Sequence, residues 1–135
     1  MFISEAQIRV RYAETDQMGY VYYGNYAQYY EVGRVEAMRA LGLSYKKLEE
    51  SGVMLPVLSY NTKYIKPAVY DDLLTIKTSI MELPAVRINF EYECYNEAGT
   101  LLNTGATTLV FISKANNKPC LAPKDFVVAL SRYFK

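Results

Sequence analysis

Asp16 stands three residues ahead of Gly19 in the stretch DQMGYVYYGNYAQYY, Asp16 to Tyr30, and six tyrosines crowd into residues 20 to 30. What chemistry such a stretch could do is limited by what the chain lacks. There is no histidine in 135 residues, so a Ser-His-Asp triad, a Cys-His pair and a histidine-ligated zinc are all excluded. Cys94 and Cys120 are far apart and lack metal-ligand spacing. A general acid or base must therefore come from Asp, Glu, Lys, Tyr, a thiol or the backbone. Asp16 lies in the polar run Glu14 to Gln17, directly before a helical pattern. An acid or base role there competes with the plainer role of a turn or capping carboxylate.

The elements that hold this stretch follow from periodicity. Gln7 to Ala13 alternates Ile8, Val10 and Tyr12 against Arg9 and Arg11, which predicts a strand with one buried face. After Gly19, Tyr22, Tyr26, Tyr29, Tyr30, Gly33, Ala37 and Leu41 recur every three or four residues. That spacing predicts a helix of about five turns, ending at Leu41-Gly42-Leu43. Ala27, Gly33 and Ala37 leave room for a sheet to approach it, and Tyr26 and Tyr30 fall on its buried stripe. Ser44 is placed to cap a second, short helix that stops at Ser51-Gly52.

From Val53 onward the pattern is of strands. Four are predicted, over residues 53–66, 73–83, 86–95 and 100–112, in meander order, with a turn at Asn96-Glu97-Ala98-Gly99. In the third, Cys94 shares a face with Ile88, Phe90 and Tyr92, so it reads as a buried, inert thiol. A terminal helix is expected from Pro123 to Phe134, with Asp125 in its first turn. The whole is an α+β domain spanning residues 1–135, one long helix on a mainly antiparallel sheet. Its open edges and apolar strands predict a homo-oligomer.

With 15 basic and 14 acidic residues the chain has no net field to draw it to nucleic acid or an anionic membrane. It begins without a basic flank and apolar core of a signal peptide, and no apolar run reaches spanning length. A cytoplasmic protein with a small-molecule or protein partner is expected.

The run Asp16-x-x-Gly19-x-Val21-Tyr22-Tyr23-x-Asn25-Tyr26 is followed by Glu31 and Arg34, then by Lys66-Pro67-Ala68 and Tyr70-Asp71-Asp72. This pattern resembles the hotdog-fold acyl-CoA thioesterases of the 4-hydroxybenzoyl-CoA thioesterase type, over nearly the whole chain. The resemblance implies a curled antiparallel sheet wrapped round the long helix. It also implies edge-to-edge pairing into a homodimer with a continuous sheet, and dimers that associate into a homotetramer. Hydrolysis of an acyl-CoA, or of an acyl carrier protein thioester, is the implied activity, without metal or redox cofactor.

By the same resemblance the catalytic groups correspond to Asp16 and the backbone N–H of Tyr23. Free N–H groups at a helix start, with the helix dipole, suit an oxygen that becomes an oxyanion. Asp16 could activate water or attack the carbonyl itself. Gly19, Tyr20, Val21, Tyr22 and Tyr26 are the expected substrate-lining positions. Lys63, Lys66 and Arg87 are candidates for the coenzyme A phosphates; the hairpin Leu83-Pro84-Ala85 supplies no basic residue where relatives often have one. Tyr20 and Tyr23 stand where many relatives carry a histidine, which also disfavours hydration or dehydration chemistry on this fold. Glu31 and Arg34, three apart on the helix, are expected to form a surface or subunit-contact ion pair, with Glu31 a minor alternative acid. The competing function is a non-catalytic hotdog module that binds acyl thioesters or serves assembly, with Asp16 only a turn residue.

Overall fold

The computed structural model describes residues 1–134. In chain order the elements are β1 (Phe2–Arg9), 3-10 turns at Tyr12–Glu14 and Tyr23–Asn25, α1 (Tyr26–Ala40), α2 (Tyr45–Glu50), β2 (Val53–Met54), β3 (Val57–Tyr64), β4 (Leu73–Ile80), β5 (Arg87–Tyr95), β6 (Leu101–Val110), β7 (Ile112–Ser113), β8 (Lys118–Pro119) and α3 (Lys124–Ser131). Five strands make one antiparallel sheet in the order β1-β4-β5-β6-β3, and the short β2, β7 and β8 form a second. The curled main sheet carries α1 on its inner face.

Alternation explains that face. Leu74, Ile76 and Ile80 of β4 and Ile88, Phe90, Tyr92 and Cys94 of β5 are all buried, and from α1 they meet Tyr26, Tyr29, Tyr30, Ala37 and Met38. Tyr30 and Tyr92 stack with ring centroids 4.4 Å apart. Each such ring removes enough apolar area from water to stabilise the fold by about 2–3 kcal/mol. Tyrosines are indifferent helix formers, so packing rather than propensity holds the first turns of α1. α1 also rests directly on β4: a Cβ on Gly33 would come within 2.5 Å of Thr78 Oγ1 and 2.9 Å of Ile76 Cγ2. Cys94 is sealed inside, and burial, followed by the charge of Asp72, pushes its thiol up to about 12.

Several boundaries differ from the sequence reading. The first strand is Phe2–Arg9 rather than 7–13, because its partner β4 offers a ladder from Leu73 to Ile80 and no further. Beyond it the Val10 N–H donates to the Asp72 carbonyl, and Tyr12 lies in a 3-10 turn, largely exposed. The expected strand 53–66 is broken at Leu55-Pro56 into β2 and β3, and the strand 100–112 is broken at Phe111 into β6 and β7. Ser44 caps α2 as expected, accepting from the Lys47 N–H. Pro123 is the cap of α3 and Asp125 lies in its first turn.

The meander order fails at one strand. β4, β5 and β6 follow one another as neighbours, but β3 pairs with β6 and so occupies the edge opposite β1. The segment from Ile65 to Asp72 therefore crosses from the β3 edge past β6 and β5 to β4, which lies just inside edge strand β1, and Pro67, which has no N–H for a ladder, keeps the strand from continuing. That crossing segment becomes a platform for the loop carrying Asp16. Among the described residues no helix is long and apolar enough to cross a membrane.

Candidate active site

The loop from Asp16 to Tyr22 is tied down at both ends. Thr15 bridges Val21 and Tyr20 bridges Val69, while the Val21 N–H donates to the Ala68 carbonyl at 2.8 Å and the Tyr22 N–H to the Glu14 carbonyl at 2.9 Å. Within the loop the Asp16 N–H donates to the Tyr20 carbonyl at 2.7 Å, and the Gly19 N–H to the Asp16 carbonyl at 3.0 Å. Gly19 has φ +82, a left-handed conformation that a residue with a Cβ adopts at a cost. Asp16 Oδ1 accepts from the Met18 N–H at 2.9 Å and the Tyr20 N–H at 3.2 Å, whereas Oδ2 has no partner in the chain among the described residues. Its carboxylate is exposed. One oxygen thus closes the turn and the other is free.

The helical start is displaced from the sequence expectation. Tyr23–Asn25 is a 3-10 turn with Tyr22 as its cap, and regular α-helix begins only at Tyr26. The tighter turn leaves the N–H groups of Tyr23 and Gly24 without an acceptor among the described residues. These two donors and the dipole of α1 give partial positive charge at one point. Around it stand Tyr22, whose ring lies 4.6 Å from that of Tyr23, and Tyr64, whose hydroxyl donates to the Tyr23 carbonyl at 3.0 Å.

Glu14 was not singled out by the sequence, yet it fastens this region together. Its carboxylate accepts from the Arg11 N–H at 2.9 Å, the Arg11 guanidinium at 3.2 Å and the Tyr29 hydroxyl at 3.0 Å. Its carbonyl accepts from Asn25 Nδ2 at 2.8 Å as well as from Tyr22. Burial, the largest influence, pushes the carboxyl up, but the N–H, hydroxyl and guanidinium bonds together hold it below its ordinary value. The signal available in the sequence was only an acid three residues after Arg11; the Tyr29 contact depends on the fold.

The expected substrate-lining positions divide. Tyr20, Tyr22 and Tyr23 are exposed around the helix start, whereas Val21 and Tyr26 are buried and form the floor beneath them. Burial pushes the Tyr26 phenol up to about 12, so it stays neutral. Lys63 and Lys66 lie at and just past the Tyr64 end of β3; Tyr64 turns its ring to Tyr23 and Tyr26, so Lys63, next to it on the strand, projects from the opposite face of the sheet. Arg87 does not join them: it pairs with Val110 while Lys63 pairs with Thr104, six residues along β6, or about 20 Å at strand rise. A single chain does not bring the three together.

The expected Glu31–Arg34 surface pair is absent. Glu31 is exposed, but Arg34 is only 6% exposed, and its Nε and Nη1 donate to the hydroxyls of Tyr45 at 3.3 Å and Tyr92 at 3.1 Å. The helix turns Arg34 inward because it falls on the buried stripe between Tyr30 and Met38.

Residues 10–130 match the family described as the thioesterase-like superfamily. YneP of Bacillus subtilis (strain 168) is 37% identical over 126 residues, covering 93% of this chain and 91% of that protein. The acyl-CoA thioester hydrolase YbgC of Escherichia coli O157:H7 is 32% identical over 120 residues, covering 89% and 90%. Among solved structures, a DHNA-CoA thioesterase from Staphylococcus aureus superposes with a TM-score of 0.85 at 38% identity, over 99% of this chain and 85% of that one. The hotdog arrangement of sheet and helix, the loop before that helix and these matches agree, and the chain belongs to the thioesterase-like hotdog family.

Proposed function

We propose that this protein hydrolyses acyl-CoA thioesters to the free acid and coenzyme A. The observation that carries this is the pair of unpartnered N–H groups at Tyr23 and Gly24, next to a loop that fastens an aspartate to the same helix start. In the reaction the thioester oxygen accepts from the Tyr23 N–H, and the charge it gains in the tetrahedral state is met by the helix dipole. Removing one such donor typically costs on the order of 3 kcal/mol in the transition state. The free oxygen of Asp16 either takes the proton of an attacking water or attacks the carbonyl, giving a mixed anhydride that water then opens. A thiolate leaves with little help from an acid, so neither histidine, metal nor redox cofactor is required.

Lys63 and Lys66 serve the phosphates of coenzyme A from this end of β3, and Arg87 could act there only from a second chain. That second chain is expected on β3, whose edge exposes Val57, Leu58, Tyr60 and Tyr64. Such an edge invites strand pairing. The working form is then a cytoplasmic homodimer, or a dimer of dimers, and an acyl carrier protein thioester is an alternative substrate.

One observation favours a second reading, a module that binds acyl thioesters without cleaving them: Asp16 Oδ1 is fully engaged in closing its own turn. Incubation with a panel of aliphatic and aromatic acyl-CoAs, following thiol release, separates the two. Steady turnover of at least one ester supports the hydrolase; binding with no release across the panel supports the module.

A further inference from the structure

Arg34 is the only charged side chain in the buried set among the described residues, and no carboxylate lies within ion-pair distance of it. Phenols alone answer it. Nε and one Nη1 hydrogen are used by Tyr45 and Tyr92, and the Tyr92 hydroxyl shares a further 2.5 Å hydrogen bond with Thr107 Oγ1. A guanidinium has five N–H donors. Nη2 has no acceptor among the described residues, and it is not sealed from solvent as Thr78 Oγ1 and Asn103 Nδ2 are.

Arg34 lines a groove between α1 and β3. Two adjoining hollows of about 290 and 350 Å³ share Glu31, Arg34 and Val57. Their walls are largely apolar, from Ala27, Leu55, Pro56 and Leu109, with Tyr60 and Thr107 also lining the first hollow. Glu31 stands on the same wall, exposed and unpaired with Arg34. The groove begins at Ala27, one turn beyond Tyr23, and reaches Arg34 seven residues later, a run of about 10 Å at helical rise.

A cation on the wall of an apolar groove is costly to cover with hydrocarbon, because its remaining N–H groups would lose water and gain nothing. We propose that this groove takes the acyl part of the substrate and that Arg34, where the two hollows meet, binds an oxygen at the tip of the acyl group, either a carboxylate or a phenolic oxygen. The inference rests on the thioesterase reading and adds to it a class of acyl group: about 10 Å long and oxygenated at the tip.

Two matched pairs of esters test it: suberyl-CoA against octanoyl-CoA for a carboxylate, and 3-(4-hydroxyphenyl)propionyl-CoA against 3-phenylpropionyl-CoA for a phenol. The wild-type protein is expected to favour the oxygenated member of at least one pair by about tenfold or more in kcat/KM, the effect of one hydrogen bond to a charged group; which pair responds identifies the oxygen. Arg34→Met is expected to bring that ratio to within about twofold, with Arg34→Lys in between. Equal turnover within both pairs by the wild type overturns the inference. So does a preference that survives in an Arg34→Met protein whose circular dichroism and thermal melt show it folded. If neither pair is cleaved, the thioesterase reading has failed separately. Thioether analogues of the same four esters are then titrated: tighter binding of an oxygenated member supports the groove assignment, and equal binding overturns it.

Discussion

The Tyr64 hydroxyl donates to the Tyr23 carbonyl at 3.0 Å, so the last residue of edge strand β3 holds the turn that precedes α1. Whatever pairs with β3 is thereby coupled to the orientation of the Tyr23 and Gly24 N–H groups. Tyr64→Phe keeps the ring contacts with Tyr23 and Tyr26 and removes only this bond. Because the group is half exposed, stability should fall by no more than about 1 kcal/mol. Thioester turnover should fall more, by about five- to tenfold, since donors aimed at a developing oxyanion tolerate little misplacement. Denaturant melts and thiol-release kinetics on the same preparation compare the two.

Asp16 has a structural oxygen and a free one, and its substitutions should separate these roles. Asp16→Asn retains an acceptor for the Met18 and Tyr20 N–H groups. Its melting midpoint should stay near the wild type while turnover falls by about 100-fold or more. Asp16→Ala should lose turnover and also about 1 kcal/mol of stability, the typical loss when a side-chain oxygen stops satisfying backbone donors. Single-turnover hydrolysis in oxygen-labelled water then tells base from nucleophile by whether label enters the Asp16 carboxylate.

Glu14 gives the helix start a pH dependence of defined sign. Its carboxyl is held below the ordinary 4.5 in the folded chain. It therefore stabilises the fold above that value and ceases to do so as pH falls through the lower folded value. Acid titration followed by tyrosine fluorescence should show the wild type losing stability in that window. Glu14→Gln should be less stable at neutral pH and lack this component; an identical acid profile in both proteins would falsify the assignment.

Gly33 sets how closely α1 lies on the sheet. Gly33→Ala improves helix propensity by about 1 kcal/mol, but the new methyl meets Thr78 Oγ1 and Ile76 Cγ2 at distances real side chains do not occupy. A net destabilisation of about 1–3 kcal/mol is expected by thermal or denaturant melting. A more stable variant would show that β4 yields easily.

The existence and type of the main elements were legible in the sequence, because alternation in β4 and β5 and three-to-four spacing in α1 report burial on one face. Tyr26, Tyr30 and Cys94 fell inside for that reason. The Asp16-x-x-Gly19 pattern likewise placed a carboxylate beside a helix start, since a left-handed glycine and a polar loop are local features. Helix and strand ends were less legible: Leu55-Pro56 interrupts an otherwise continuous apolar run, and the start of α1 is a 3-10 turn that the same spacing permits.

Tertiary structure alone decided which groups meet across the chain. Periodicity says that a strand has a buried face but not which neighbour it takes, so β3 lay beside β4 in the sequence and beside β6 in the fold. The same limit hid Glu14 from Tyr29, split Arg87 from Lys63 and Lys66, and turned Arg34 from an expected surface partner of Glu31 into a buried cation bonded to phenols. Spacing along a helix fixes which residues are adjacent on it. Where that face points, and whether a charge on it meets water, a carboxylate or a ring hydroxyl, depends on strands brought in from elsewhere in the chain.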